Sequence, residues 1–590
     1  MSQPIQNQHT LHQLESFVQA AVKALQLNDN TLALQHLDKA LQLDTKHAQA
    51  NYLKGVISFQ KGDIQSASKA MKKALKREPG NPNIHNGLGS ILQSLNQLQQ
   101  AQKHFKKATE LNPAFAGAFN NLGVVYKQQG RLFEAVKYYR KAVSIDPDYG
   151  DAFNNLGLLQ QDLRNLESAI ISFRRAIDSK QCQSKAHSNL LLALNYQSQI
   201  SPQEVFEEHK LWGSLHPQKN TRLIENRGKK PLLRIGYVSP DFRSHSVAYF
   251  FEPLLAAHNH EKYQIYCYYN ESAEDKVTKR IRNLAHQWRN IYSMSDQEAI
   301  EQIIADDIDI LVDLSGHTGK NRLDIFAQRA APVQTAWLGY PNTSGLEAMD
   351  FRFTDEQADP KQSSDNCYTE QLIRLPHGFL CYQGNPKASK PKQIPSIENK
   401  FITFGSFNNL TKATDLVIQT WLEILTAVPD SKLILKASHL HSQDFQEQIF
   451  TLADQANICR KRIKMYGNIS SELEHLSLYD KIDIALDPFP YNGTTTTCEA
   501  FWMGVPVLTL NGQTHASRVG ASLLKKVNLE TFIAQNKQHY IELAIQFAND
   551  QKQLQSIRDN LRQTMINSDL CNSTLFAHHI ELAYEKMWNN

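Results

Sequence analysis

Cysteine is scarce and scattered: seven residues, at 182, 267, 367, 381, 459, 498 and 571, never in C-x-x-C spacing. That pattern excludes a zinc ribbon or a vicinal redox pair and argues against a disulfide framework, leaving most of the thiols as small buried groups. No stretch approaches 18 apolar residues, so no membrane-spanning helix is expected. The opening MSQPIQNQHTLHQ lacks the basic and apolar regions of a secretory signal, and a cytoplasmic protein is the expectation. Net charge is only +4 over 590 residues, without a basic block or basic helix. Neither nucleic acid nor an anionic membrane is therefore an expected partner. Clustered metal ligands are missing too. The nearest, Asp306-Asp307-Ile308-Asp309, stands at the entry to a buried strand and reads as a solvated turn, so no metal is expected. The first strand-like run, LRIGYVSPDF, is not followed by G-x-G-x-x-G, which disfavours a dinucleotide enzyme.

With 41% hydrophobic and 21% charged residues the chain is folded, and at this length it needs several cores. Residues 14–197 repeat with a period of 34, on which fall Gly55, Gly89, Gly123 and Gly157 and two alanine series beginning at Ala33 and Ala40. This is the tetratricopeptide pattern. In each unit small residues let two helices approach, and one bulky residue (Leu37, Met71, Phe105, Tyr139, Phe173) fills the gap between them. Five repeats are predicted, 14–47, 48–81, 82–115, 116–149 and 150–183, followed by a half unit. Ser201-Pro202-Gln203-Glu204 then reads as a capping box with Pro at the first helical position. Asn121, Asn155 and Asn189 recur at the repeat period on the inner helices, where an asparagine ladder can bind an extended acceptor peptide.

From about Lys230 short apolar runs alternate with helical patterns, as strands buried on both faces require. LRIGYV, YQIYCYY, DILVDLSG, TAWLGY and FRFTD mark one doubly wound half. FITFGSF, KLILKA, RIKMYG, IDIALDPF and VPVLTL mark a second, and the Pro/Lys-rich 384–400 separates them. The expected organisation is a repeat superhelix (14–198), a connecting helix and linker (199–230), and two Rossmann-like halves (231–395 and 396–590) with a ligand cleft between them. Within DPFPYNGTTTTCEAFWMG, Thr494, Thr495, Thr496 and Thr497 lie where a strand passes into a helix. Backbone N–H groups and hydroxyls there form a diphosphate site in outline.

With these segments placed, the chain resembles the family 41 protein O-glycosyltransferases, the O-GlcNAc transferases and SPINDLY-type O-fucosyltransferases. The resemblance is carried by LRIGYVSPDFRSHSVAYF, DILVDLSGHTGKNRLDIF, APVQTAWLGYPNTSG, FITFGSFNNLTKATD and DPFPYNGTTTTCEAFWMGVPVLTLNGQTHASRVGASLL, in order behind the repeats. It implies an α-solenoid followed by an α/β GT-B fold. It also implies inverting, metal-independent transfer of one sugar from a UDP- or GDP-sugar to Ser or Thr of proteins held in the repeat groove.

By the same resemblance Lys412 contacts the diphosphate, Asn409 lies beside it, and His245 is a base or a positioning group. His317 faces the donor sugar, His475 lies near the nucleotide base, and Glu499 accepts the ribose hydroxyls. Glu472 stands where the animal enzymes carry a nucleotide-contacting lysine, TTTTCE departs from their HTTGMD, and their long insertion between the halves is missing. The donor thus stays open between UDP-GlcNAc, the first reading, and GDP-fucose. An inactive repeat scaffold is the reading from another class.

Overall fold

A computed structural model describes residues 3–179, 183–217 and 230–589 of the chain. It divides into two compact units, 1–159 with 175–183, and 160–174 with 184–590.

The first unit is built from helix pairs: Gln3–Gln26 with Asn30–Leu43, Ala48–Gln60 with Ile64–Arg77, Pro82–Ser94 with Leu98–Leu111, and Ala116–Gln128 with Leu132–Ile145. The small-against-bulky rule explains their approach. A Cβ on Gly89 would sit 2.7 Å from the Phe105 ring, and one on Gly123 would sit 2.5 Å from Tyr139. Phe105 and Tyr139 are buried in the space that those glycines leave. Starts are fixed by side-chain caps from Asp29, Asp63 and Asn81, the last followed by Pro82 at the first helical position. The first helix begins at Gln3 and not near residue 14, because the polar residues before Leu14 carry no repeat signature to mark it.

The second unit holds two parallel sheets. Strands β1 (Leu233–Ser239), β2 (Tyr263–Tyr269), β3 (Gln287–Asn290), β4 (Ile310–Asp313), β5 (Val333–Ala336), β6 (Phe351–Thr354) and β7 (Gln371–Arg374) run in the order β3-β2-β1-β4-β5-β6-β7. Strands β8 (Thr403–Ser406), β9 (Lys432–Lys436), β10 (Ile463–Tyr466), β11 (Ile484–Leu486), β12 (Val507–Leu510) and β13 (Ile533–Ala534) run in the order β10-β9-β8-β11-β12-β13. Both are doubly wound, with the strand order reversing between β1 and β4 and between β8 and β11, where ligands of such sheets bind. The three strands that the sequence pattern misses, β3, β7 and β13, are all outer strands. An edge strand is buried on fewer sides and needs no apolar run.

Two expected boundaries change. The final helix, Ser573–Asn589, packs on the first half and not the second: Tyr584 Oη meets Tyr237 Oη at 2.9 Å, and Glu581 accepts the Asn259 N–H at 2.8 Å. The second half thus ends before residue 573, since a C-terminal helix is free to cover whichever sheet face lacks one. Residues 384–400 are no free linker, because the Trp502 indole donates to Asn385 O at 3.1 Å and Arg558 donates to Lys392 O. The connecting helix is Pro202–Ser214, opened by the expected capping box, while 218–229 fall outside the described residues. No helix among the described residues is long and apolar enough to cross a membrane.

Candidate functional site

The loops that leave β8 and β11, neighbours at the second sheet's switch point, converge. After β11, buried Asp487 accepts the Gly493 N–H at 2.6 Å and the Thr509 hydroxyl at 2.8 Å, folding the loop back on itself. Gly493 is required by crowding: a Cβ would lie 2.6 Å from Thr496 Oγ1, 2.8 Å from Asn408 Oδ1 and 2.9 Å from Asp487 Oδ1. Helix Thr495–Trp502 starts there, and its first intrahelical bond of this turn runs from the Cys498 N–H to Thr494 O. The N–H groups of Thr495, Thr496 and Thr497 thus have no helical carbonyl to reach and make an anion-binding end.

The four hydroxyls do not act alike. Thr497 is buried and bonds back to Gly493 O at 3.1 Å, which removes its hydroxyl from the donor-binding set. The Thr496 hydroxyl donates to Asn408 Oδ1 at 2.8 Å and ties the two loops together. A Thr run at a helix start satisfies its own backbone as readily as a ligand, as Thr496 and Thr497 show, while Thr494 and Thr495 are half-buried at the turn.

The β8 loop carries Asn409, exposed, whose side chain accepts the Thr411 N–H at 3.2 Å and opens the turn Leu410–Lys412. Half-buried Lys412 sends its ammonium to Asn492 O at 2.8 Å and over the Tyr491 ring, 4.1 Å from its centroid. Burial lowers the Lys412 pKa, which Asp487 opposes, and burial raises the Asp487 pKa, which Lys412 opposes. Neither Tyr491 nor Asn408 was singled out from sequence. A tyrosine in a PYNG turn has no pattern that says which side chain will lie on it.

His475 and Glu499, 24 residues apart, pair at 3.0 Å through Nε2 and Oε2, and the Tyr479 hydroxyl donates to the same carboxylate at 3.3 Å. His475 Nδ1 is buried and has no hydrogen-bond partner among the described residues. Lys436, at the end of β9, is half-buried, which lowers its pKa, with Glu499 the charge that opposes the shift.

A cavity of about 760 Å³ opens between the halves, lined by His245, Tyr249 and Arg280 on one side and Ser470, Ser471 and Glu472 on the other. His245 caps helix Ser246–Ala257, accepting the Val247 N–H at Nδ1 over 3.3 Å, with Asp241 Oδ2 at 3.5 Å. Burial lowers its pKa, partly offset by Asp241. Nδ1 thus faces both an N–H donor and a carboxylate, and the neutral tautomer that accepts from Val247 carries its proton on Nε2.

His317 follows β4 at the first switch point but leaves the cleft. It is 1% exposed, with Nε2 donating to Ser344 O at 2.8 Å and Nδ1 paired with the Ser188 hydroxyl at 3.0 Å. With both ring nitrogens spent inside the protein, it cannot contact the donor sugar. Nothing local in SGHTG reveals that helices distant in sequence fold over it. Asp306 and Asp307 form the expected turn, Asp307 exposed and paired with Arg234 and Asp306 with Arg289, but Asp309 is buried and paired with Lys230. In the first unit, Asn121 and Asn155 each donate an amide hydrogen to an asparagine of the preceding repeat, Asn86 and Asn120, both at 3.0 Å. Asn189 lies half-buried on helix Gln183–Leu194 of the second unit.

The chain is similar to several known proteins. The family model described as glycosyl transferase family 41 matches residues 214–387 and 388–580. Models for regulator of microtubule dynamics protein 1-3 (26–155) and the Est1 DNA/RNA binding domain (135–210) overlap the helical region. A Solanum lycopersicum protein named probable UDP-N-acetylglucosamine peptide N-acetylglucosaminyltransferase SPINDLY is 41% identical over 411 residues, 68% of this chain and 44% of that one. An Arabidopsis thaliana relative with the same enzyme name, SEC, is 32% identical over 380 residues, 62% of this chain and 38% of its own. The chain thus spans less than half the length of these curated relatives. A solved mutant O-GlcNAc transferase from Thermobaculum terrenum superposes with a TM-score of 0.79 at 31% identity, covering 86% of this chain and 97% of that one. Two parallel doubly wound sheets and a family match over more than half the sequence lead to one statement: the chain belongs to glycosyl transferase family 41.

Proposed function

We propose that this protein transfers a single sugar from a nucleoside diphosphate sugar to serine or threonine hydroxyls of proteins, with inversion and without a metal. The observation that carries the reading is that the Lys412 ammonium, held on Asn492 O, stands at the turn that opens helix Thr495–Trp502, whose first N–H groups have no helical partner, two anchors for one diphosphate. The acceptor hydroxyl oxygen attacks the anomeric carbon on the face away from the diphosphate and gives up its proton to solvent water. The anomeric C–O bond breaks, and its electron pair leaves with the β-phosphate, where Lys412 and the helix end neutralise the charge. Thr494, Thr495 and Asn409 line this anchor, Glu499 is the ribose acceptor, and His475 holds that carboxylate in place. His245, as an Nε2–H donor, orients the reacting groups. The repeats supply the acceptor platform.

UDP-GlcNAc is the first donor reading, supported by the names of the relatives. A second is favoured by Glu472, whose carboxylate lines the cavity three residues before His475. Guanine presents two adjacent N–H donors to a carboxylate, whereas uracil presents one flanked by two carbonyls. Labelled UDP-GlcNAc, GDP-fucose and related donors offered to the purified chain with protein acceptors test both readings. Transfer from none, with no donor hydrolysis, would sink the enzyme reading in favour of the scaffold.

Activity is expected to survive EDTA, since the charge of the leaving diphosphate is met by protein groups. Loss on chelation with recovery on Mg²⁺ or Mn²⁺ would contradict this. Gly493→Ala is expected to weaken UDP and GDP binding by about tenfold, the cost of forcing one methyl into a filled space. Calorimetric titration reads it, and unchanged affinity for both nucleotides would separate this turn from the site.

A further inference from the structure

The loop bearing Lys412 is not held by the α/β halves alone. Arg164, in the turn after helix Gly150–Asp162, has a buried side chain that donates to Ala413 O at 3.4 Å and pairs with Asp415 at 3.2 Å. Tyr196, just past helix Gln183–Leu194, is buried with its hydroxyl beside the Thr411 side chain. Residues on both sides of Lys412 are thus fastened to the helical region. The Tyr196 ring also stacks on Tyr491, centroids 5.0 Å apart at 25°, and it is the Tyr491 ring that carries the Lys412 ammonium.

We propose that Tyr491 is the positioning residue of Lys412, with Tyr196 and Arg164 as the fixture behind it, so that the end of the helical region is part of the donor site. This rests on the reading of Lys412 as the diphosphate cation. A lysine has four rotatable bonds, and a carbonyl alone fixes distance but not direction. The aromatic face supplies a second contact, attractive to an ammonium and to no neutral amine. Among the described residues Asp487 is the charged partner that acts on that ammonium, and its carboxylate is already engaged by Gly493 and Thr509. The Tyr491 ring therefore decides where the cation points. The consequence reaches beyond acceptor choice: a change in the helical region at Tyr196 should alter donor chemistry even when no acceptor is present.

The test uses the full chain and measures donor hydrolysis without acceptor, affinity for UDP and GDP, and the pH dependence of hydrolysis. Tyr491→Phe keeps the face and is expected to stay within about twofold of wild type. Tyr491→Leu removes it and is expected to lower kcat about tenfold, the size of one partly desolvated cation–π contact, with KM little changed. Its alkaline limb should move to lower pH, because the ring favours the charged form. Tyr196→Leu should shift both readouts in the same direction, with Tyr196→Phe restoring them. Should Tyr491→Leu fail to fold, Tyr491→Met fills the space without a π face and carries the same expectation. Wild-type kcat and an unmoved alkaline limb in the Leu or Met variant would overturn the inference. Full hydrolysis by Lys412→Ala would instead remove the reading beneath it, so the two failures are distinguishable.

Discussion

Lys412→Ala is expected to lower donor turnover by roughly 100- to 1,000-fold at saturating donor while the protein stays folded. The magnitude is that of removing one preorganised electrostatic donor from a developing oxyanion. Folding survives because the lysine stabilises little: its ammonium lies in a site whose burial disfavours the charge, and it bonds one carbonyl, Asn492 O. The partner left behind also has an outlet. Asp487 keeps its bonds from Gly493 and Thr509, and its raised pKa lets it take up a proton rather than remain a buried, unpaired anion. Lys412→Arg should restore only part of the rate, since a planar guanidinium spreads the charge and demands more room than the Tyr491 face and one carbonyl provide. Single-turnover hydrolysis of labelled donor, with a thermal melt as control, checks both variants. Near-normal turnover by Lys412→Ala would make the lysine a bystander and leave the helix end as the sole anchor.

What could be read from the residues followed how locally each feature is encoded. The helix pairs were legible because Gly89 and Phe105, or Gly123 and Tyr139, recur at one spacing and must meet. The central strands were legible because a strand covered on both faces has to be apolar throughout, and the outer β3, β7 and β13 were lost for the converse reason. In the site, the Thr run marked the right turn since an anion-binding helix start is itself a local structure. How its four hydroxyls divide their duties depends on Asn408, nearly 90 residues away, and no spacing rule reaches that far. His317 failed in the same way. It follows a strand end just as His245 does, and the difference is made by Ser188 and Ser344, brought over it by the fold. Tyr491 was invisible because its role is to be a surface for another residue.

Acidification between pH 6.5 and 4 is expected to loosen the joint at which helix Pro202–Ser214 lies on the first half, before the rest of that half unfolds. Gly213 and Gly345 meet there so closely that a Cβ on Gly213 would stand 1.9 Å from Gly345 O. His209 is fully buried beside them, with Nδ1 donating to Val205 O at 2.6 Å and Nε2 accepting from the Tyr340 hydroxyl at 2.8 Å. Burial pushes its pKa down to about 4. His317 lies 5.4 Å from it, centroid to centroid, and is pushed well down by burial and then by His209 itself. Of the charges around His209, Glu208 opposes the shift while His187 and Arg352 add to it, and His216 adds to that of His317. Both histidines have folded pKa values below the unfolded value near 6.5, so the unfolded state binds more protons as pH falls. Their contribution to stability is complete above pH 6.5. For His209 it is lost at about 1.4 kcal/mol per pH unit down to its folded value, about 3 kcal/mol in all, and His317 adds in the same direction. Amide exchange in helix Pro202–Ser214 reads this locally. His209→Gln, which cannot take up the proton, should reduce the pH dependence of that exchange by one proton's worth whatever it does to stability at pH 7. An unaltered slope would mean that another group drives the acid response.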